Sequence, residues 1–169
     1  MDVAASTLVS VADYLSQTYD PDRDFVEGTL LERNVGEIAH GDAQGSVYFF
    51  VRVNCPRFWA GPEIRVQIRP DRFRVPDVVI MRGGKPAGRI ITMPPAVAVE
   101  GLSPDDRALD IEARIADFLE FGVECVWVIN PETRRSFIHT TEGSHEVKDG
   151  ILRNPAGDLA VPLSAIFGD

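Results

Sequence analysis

The segment from Ala96 to Ile129 constrains the fold more than any other part of the chain. It opens with the contiguous apolar run AVAV and closes with a second apolar run, VECVWVI. Such runs are typical of strands that are covered on both faces. Between them, Ile111, Ile115 and Phe118 recur at helical spacing. The segment therefore predicts two parallel strands joined by a right-handed helical crossover.

Both ends of this helix carry cap signals. Ser103 is a typical N-cap residue, Pro104 suits the first helical position, and Asp106 completes a capping box. Gly122 is typical of the residue just after a helix. We therefore predict a helix that begins directly after Ser103 and ends before Gly122.

The rest of the chain predicts a mixture of short helices and strands. Ser10 and Asp13 resemble a capping box at the start of a first helix. By residue number, the expected elements are a helix at 6–17, a strand or hairpin at 24–35, a helix at 36–54, a hairpin at 63–84 and short strands from 135 onward. The hairpin is expected to turn at RPD and return in VPDVVIM. Neither a repeat nor a linker interrupts the pattern, so we predict one domain over residues 1–169, with an α/β fold and a mixed β-sheet flanked by helices.

The charge balance limits the function classes. The net charge of −9 argues against a protein that coats nucleic acid, because phosphate binding usually needs a basic surface. It does not argue against a nucleic-acid enzyme, since acids that hold divalent cations add to the negative count. Apolar runs fall short of the roughly 20 residues of a membrane-spanning helix, and no basic region precedes the first apolar stretch. We expect a cytoplasmic protein without a membrane partner.

Two carboxylates interrupt or end apolar strands. Asp77 stands between Pro76 and VVI, and Glu100 follows AVAV. A carboxylate at the edge of a core is costly unless it is paired or bound to metal. If the two strands are neighbours, the acids repel each other unless a hard cation such as Mg²⁺ or Mn²⁺ lies between them. The alternative is that each acid lies in water at a strand end, with Asp77 paired to Arg74 and Glu100 paired to Arg107.

Several segments together resemble the Uma-type restriction endonuclease family of the PD-(D/E)XK nuclease superfamily. VSVADYL resembles the opening helix of the family and FVEGTL its acid-glycine hairpin, while His40 falls where the family carries a histidine. PDVVI and VAVEGLSP are similar to its two catalytic-acid segments, GVECVWVINP to the strand after the helix, and LAVPLSAIF to its closing segment. The resemblance covers nearly the whole chain. It implies a restriction-endonuclease-like core with extra C-terminal β-hairpins.

The resemblance also implies a site and an activity. Asp77 and Glu100 would be catalytic, metal-binding acids, with the carbonyl of Gly101 as a further ligand of Mg²⁺ or Mn²⁺. The activity would be hydrolysis of DNA phosphodiester bonds, with His40 assisting from the neighbouring helix. The family usually carries valine at the position of Gly101, so this chain departs from the pattern there.

A second departure concerns the catalytic lysine of these nucleases. We expect it four residues after an aspartate on the helix, and here Arg114 follows Asp110 at that spacing. Arg114 can point towards the strand end, as the lysine would. Arginine keeps the positive charge and can clamp phosphate, but it cannot act as a base near neutral pH. A weakened or inactive nuclease therefore stays open as an interpretation.

Four arginines fall close together in the predicted hairpin. They are Arg65, Arg69, Arg72 and Arg74. Arginine suits bidentate phosphate contacts, so this face is a candidate nucleic-acid-binding surface. The alternative interpretation is a solvated hairpin face.

Three hypotheses follow for the function. The first is a metal-dependent endonuclease whose substrate is DNA. The second is a non-catalytic protein of the same fold that binds nucleic acid or a partner protein through the arginine hairpin. The third is a structural dimerisation module. A homodimer is suggested by the resemblance, and by the need of many nucleases to meet both strands of a duplex.

Overall fold

The structure is a computed structural model that describes residues 7–34 and 36–168. Its four helices among these residues are α1 (Val11–Ser16), α2 (Ile38–Asn54), α3 (Ala108–Phe121) and α4 (Leu163–Phe167). Its strands are β1 (Asp24–Val26), β2 (Thr29–Leu31), β3 (Phe58–Pro62), β4 (Val66–Arg69), β5 (Arg72–Arg74), β6 (Val78–Arg82), β7 (Val97–Gly101), β8 (Cys125–Asn130), β9 (Arg135–Thr140), β10 (Gly143–Glu146), β11 (Ile151–Arg153) and β12 (Ala160–Pro162). Within the described ranges, every helix is too short or too polar to cross a membrane.

A six-stranded mixed sheet forms the centre of the molecule. Its strand order is β10-β9-β8-β7-β6-β3. Strands β7 and β8 are parallel and are connected through α3, whereas the other neighbours are antiparallel. The predicted crossover and the predicted mixed sheet are therefore confirmed. Strand β3, which pairs with β6 along its whole length, has no counterpart among the predictions.

Helices cover both faces of this sheet. Helix α2 buries Ala43, Val47 and Val51 against one face, where they join a cluster that includes Trp127. Helix α3 buries Ile115 and other side chains against the opposite face. The two covered faces explain why β6, β7 and β8 read as contiguous apolar runs.

The predicted hairpin over residues 63–84 is wrong in its second half. Strand β5, not β6, returns along β4, and both belong to a smaller sheet with the order β2-β1-β5-β4. The chain leaves this sheet at Val75 and Pro76. The amide of Val75 donates to the Asp24 side chain, 2.8 Å away, instead of to a backbone carbonyl of a paired strand, and proline has no amide to donate. VPDVVIM therefore does not complete a hairpin but carries the chain from one sheet to the other.

The predicted start of α3 is also wrong, by four residues. The helix begins at Ala108 with Arg107 as its N-cap. The Asp106 side chain accepts from the Ser103 amide at 2.6 Å, and the Asp106 amide donates to the Ser103 carbonyl at 3.0 Å. These two bonds close a turn ahead of the helix rather than its first turn. The predicted end is confirmed, because Gly122 adopts φ +108° just after the last helical residue.

In the first helix Ser10 is the N-cap, but the Asp13 carboxylate bonds to the Ser10 hydroxyl and not to the Ser10 amide, so half of the predicted capping box forms. The Ser10 hydroxyl accepts from the Asp13 amide at 3.0 Å and donates to the Asp13 carboxylate at 2.8 Å. Strands β9 to β12 form two antiparallel pairs before α4, β9 with β10 and β11 with β12, as the prediction of C-terminal hairpins requires.

Candidate functional site

The strand register brings the two sequence-predicted acids together. In the antiparallel pair of β6 and β7, Val78 lies opposite Val99, and the Asp77 amide donates to the Val99 carbonyl at 3.1 Å. Because the strands are antiparallel, Asp77, the residue before Val78, lies opposite Glu100, the residue after Val99. Each of the two acids is only 4% exposed. Neighbouring strands of one sheet thus carry both buried carboxylates to the same edge.

These acids lie in a cleft of about 540 Å³ between α3 and the β1–β2 hairpin. The cleft also contains the other sequence-predicted catalytic residues, His40 and Arg114, together with Gly101. Five arginines line it, namely Arg33, Arg72, Arg74, Arg107 and Arg114. Both lysines of the chain are described, and neither lines the cleft. Among the described Lys and Arg residues, those that line the cleft are therefore all arginines.

Both carboxylate oxygens of Asp77 have partners. Oδ1 accepts from Nη2 of Arg33 at 2.8 Å, whereas Oδ2 accepts from the Gly101 amide at 2.7 Å and lies 3.1 Å from Nε2 of His40. Burial alone would raise the pKa of Asp77, but His40, Arg33 and the Gly101 amide together lower it below its ordinary value. The same bond to Asp77 raises the pKa of His40, against the effect of burial. Asp77 is therefore held as a carboxylate.

Glu100 is less completely paired. Its Oε1 accepts from Nη2 of Arg114 at 2.6 Å, and its Oε2 has no hydrogen-bond partner among residues 7–34 and 36–168. Burial raises the pKa of Glu100 to about 7, against the opposing effect of Arg114. Glu100 therefore takes up a proton much more readily than Asp77 does.

Arg114 is fixed by groups on three sides. Besides Glu100, it donates to the carbonyl of Val75 at 3.0 Å and forms an ion pair with Asp24. Burial lowers the pKa of Arg114, but Asp24 and Glu100 outweigh burial and raise it above its ordinary value. As expected from the sequence, the side chain points from α3 to the strand end. Its partners include Glu100, whereas the alternative partner Arg107 does not bond to Glu100.

A ladder of alternating charges continues behind Arg114. Asp24 also accepts from Nη1 of Arg74 at 3.0 Å, and Arg74 bonds to Asp117 at 2.7 Å. Asp117 in turn accepts from Nη1 of Arg72 at 2.7 Å. Asp24, Arg74, Arg114 and Asp117 are all buried. Each buried charge in the ladder therefore has a partner of opposite sign.

The four arginines of the predicted nucleic-acid surface do not share one free face. Arg72 and Arg74 belong to the charge ladder. Arg65 forms a two-bond ion pair with Asp22, at 2.8 Å for each bond, and stacks over the ring of Tyr14 at 4.1 Å. Arg69 pairs with Glu120 at the surface. Arg65 and Arg69 lie outside the cleft lining. A role in nucleic-acid binding stays a prediction for all four, but each already has an acidic partner.

The donor chemistry of the acid pair fits a hard divalent cation. The side chains of Asp77 and Glu100 and the carbonyl of Gly101 supply oxygen, which Mg²⁺ and Mn²⁺ prefer. No cluster of three or more His, Cys, Asp or Glu side chains with metal-binding geometry occurs in the described part of the chain. A cation on this pair would therefore use two carboxylates and complete its shell with backbone, water or substrate oxygens, as Mg²⁺ often does.

Two residues of the site were missed at the level of sequence. Asp24 stands at the start of a short strand in DFVEG, and an acid directly before a buried Phe25 was the one available signal. Arg33 lies in the polar stretch LERN, which reads as a surface loop. Its partner Asp77 is 44 residues away along the chain, so no local pattern links the two.

Comparisons with known proteins identify the family and the fold of this chain. The sequence model of the Uma2 family, described as "Putative restriction endonuclease", matches residues 11–163. Among solved structures, "a putative nuclease belonging to DUF820 from Anabaena variabilis" superposes with a TM-score of 0.78 at 18% sequence identity, over 94% of this chain and 97% of that chain. No curated protein matches the sequence. The structural similarity shows a restriction-endonuclease-like fold, and the family match, which spans most of the chain, shows that this chain belongs to the Uma2 family.

Proposed function

We propose that this protein is a metal-dependent endonuclease that hydrolyses phosphodiester bonds of DNA, with Mg²⁺ or Mn²⁺ held by Asp77 and Glu100. The observation that supports this proposal most strongly is the pair of buried carboxylates on adjacent strands, at the floor of a cleft rich in arginine. Both side chains present carboxylate oxygens, which are the ligands that a hard divalent cation prefers. The family match supports a nucleic-acid substrate.

When bound, the cation would activate a water molecule and offset charge on the scissile phosphate. Asp77, kept ionised by His40 and the Gly101 amide, would be the permanent ligand. Glu100 would lose its proton as the pH rises through about 7, which would add a second negative charge to the site. The carbonyl of Gly101 would be a further ligand.

Arg114 would supply the positive charge that lysine supplies in related nucleases. Its pKa lies above the ordinary value, so it holds its proton and does not act as a base. Because Asp24 and Val75 fix the side chain, the guanidinium can offset negative charge near Glu100 without reorganising. His40 would orient the carboxylate of Asp77.

A second candidate is a non-catalytic protein that binds nucleic acid or a partner protein through the same fold. The complete pairing of Asp77 favours it, because Arg33 already neutralises the charge that a cation would neutralise. We also propose a homodimer, for which light scattering would give about twice the chain mass of 18.6 kDa.

Cleavage of supercoiled plasmid DNA with Mg²⁺ or Mn²⁺ separates these candidates. We expect the wild type to cut and Glu100→Ala to lose detectable cutting, since it removes one of two acidic ligands. Arg114→Lys restores the lysine of the family pattern and is expected to cut at least as fast as the wild type. Arg135→Gln is the matched control, because Arg135 pairs with Glu146 at the surface outside the cleft.

The outcomes point in different directions. Cutting that survives in Glu100→Ala would show a contaminating nuclease or a different site. Cutting only in Arg114→Lys would mean that the acids are competent and that arginine disables the site. Silence of all variants, together with salt-sensitive DNA binding, would favour the non-catalytic candidate.

A further inference from the structure

The arginines of the cleft differ in what holds them. Arg114 and Arg74 share Asp24, and Arg74 and Arg72 share Asp117. Asp24 and Asp117 are buried and lie outside the proposed cation site. Withdrawing one guanidinium from either aspartate would break a charged hydrogen bond inside the buried ladder. These three arginines therefore stay in place whether or not a cation is bound.

Arg33 is held differently. Within residues 7–34 and 36–168, its one buried acidic partner is Asp77, which is itself a proposed cation ligand. Its other contact, from Nη1 to Glu63, is long at 3.5 Å and involves a half-exposed carboxylate. Arg33 follows β2 in a loop that lines the cleft, and its side chain is largely buried there. Four arginines of the cleft have acidic partners. Of these four, Arg33 has the weakest ion pairing to acids other than the proposed cation ligands.

Arg33 and a divalent cation would compete for the same atom. Oδ2 of Asp77 has two partners, the Gly101 amide and His40. Oδ1 has only one partner, so a cation would bind Asp77 through Oδ1. Nη2 of Arg33 occupies it at 2.8 Å. A guanidinium and a divalent cation on one carboxylate would repel each other strongly in a buried site.

We propose that Arg33 is a transferable counter-charge and a phosphate-binding residue. It neutralises Asp77 while the site holds no cation, leaves Asp77 when the cation binds, and then binds a phosphate of the nucleic-acid substrate. The guanidinium suits both partners, because its planar fork bonds to carboxylate and phosphate alike. This inference rests on the proposed function, since it requires that Asp77 and Glu100 hold a cation.

The test measures the affinity of each variant for Mn²⁺ and for DNA. Loss of a residue with a merely structural role would not strengthen one of these affinities while it weakens the other. The variants are Arg33→Gln, Arg33→Lys and the matched control Arg135→Gln, which also removes a guanidinium from a carboxylate. Calorimetric titration with Mn²⁺ alone gives cation affinity. Fluorescence anisotropy of a labelled DNA duplex in Ca²⁺, repeated over a range of salt, gives DNA affinity, with the duplex checked for integrity on a gel.

Arg33→Gln is expected to bind Mn²⁺ about tenfold more tightly, because the cation no longer displaces a charged hydrogen bond. It is expected to bind the duplex more weakly, with a salt slope smaller by about one, as the loss of one phosphate contact predicts. Arg33→Lys keeps a single charged donor and should lie between Arg33→Gln and the wild type in both affinities. Arg135→Gln should match the wild type in Mn²⁺ affinity.

Equal or weaker Mn²⁺ binding by Arg33→Gln, or an unchanged salt slope, would overturn the counter-charge role. If Arg33→Gln does not fold, Arg33→Lys decides between the same outcomes. Glu100→Ala separates this failure from failure of the proposed function. If the wild type binds Mn²⁺ no better than Glu100→Ala does, the cation site and the role of Arg33 both fall. If Glu100 is required but Arg33→Gln gains no affinity, only the role of Arg33 falls.

Discussion

At the scale of single residues, His40 occupies a space that two glycines leave open. A Cβ atom on Gly36 would lie 2.7 Å from Nδ1 of His40, and a Cβ atom on Gly101 would lie 2.9 Å from its Cδ2. Contacts this short force a neighbour to move. The ring is therefore held where Nε2 meets Asp77, and the absence of a side chain at Gly101 fits this placement of the histidine.

Gly101→Val is predicted to break the contact between His40 and Asp77. The new side chain would push the ring away, so the pKa of His40 should fall towards its ordinary value because it loses the bond that raises it. A pH titration of the His40 ring by NMR measures this change. Gly41→Ala on α2 is the control, since a Cβ there meets no described atom within 4 Å beyond its chain neighbours and the backbone of its own helix. An unchanged pKa in Gly101→Val would show that the ring does not depend on the glycine.

The raised pKa of Glu100 predicts a pH dependence of stability. Burial raises this pKa from the ordinary 4.5 to about 7, so between these values the folded protein binds the proton more tightly than the unfolded chain. The free energy of unfolding that Glu100 contributes must therefore fall as the pH rises through this window. Glu100→Gln should remove that fall, which urea unfolding at a series of pH values would measure.

The control for this prediction is Glu146→Gln. The ion pairs of Glu146 with Arg135 and Lys148 lower its pKa to about 2, so its titration affects stability below pH 4.5. Replacing Glu146 should leave the slope between pH 4.5 and 7 unchanged. Equal slopes for the wild type and Glu100→Gln would mean that Glu100 stays ionised throughout this range.

At the scale of secondary-structure elements, local patterns predicted those features that depend on neighbours in the chain. The N-cap of α1 at Ser10, the end of α3 at Gly122 and the parallel crossover all follow from residues within one element or between adjacent elements. The start of α3 was wrong because Ser103 and Asp106 form only one of the two bonds of a capping box, and the Asp106 amide closes a turn on the Ser103 carbonyl instead. The hairpin was wrong because the partner of the Val75 amide is Asp24, which is 51 residues away.

Asp24 connects three elements. We therefore expect its charge to contribute more to the stability of the fold than its place in a three-residue strand suggests. It accepts from the Val75 amide, Arg74 and Arg114, which joins β1 to the link before β6 and to α3. Asp24→Asn is predicted to lower the free energy of unfolding by about 3 to 5 kcal/mol, because it leaves two buried guanidinium groups without a full counter-charge. Urea unfolding would measure the loss.

The matched control at this scale is Glu120→Gln. Its pair with Arg69 lies at the surface, where such pairs contribute about 0 to 1 kcal/mol. If Asp24→Asn and Glu120→Gln lower the free energy of unfolding by similar, small amounts, the buried ladder does not stabilise the connection between these elements.

At the scale of the whole molecule, net charge gave little guidance about where charges lie. The chain carries −9 overall, yet five arginines line one cleft. The acid pair could be predicted, because both acids end or interrupt apolar runs that become neighbouring strands. The ladder behind it could not, because its partners are 43 to 90 residues apart and meet only after both sheets and α3 have packed. The family match agrees with the resemblance read from the motifs.

The proposed function requires that Asp77 and Glu100 together hold a divalent cation. An anomalous difference map from crystals grown with Mn²⁺ would locate that cation. We expect a peak within bonding distance of oxygen atoms of both Asp77 and Glu100, with the guanidinium of Arg33 withdrawn from Asp77. A map without a peak between these acids at saturating Mn²⁺, with Arg33 still bonded to Asp77, would contradict it.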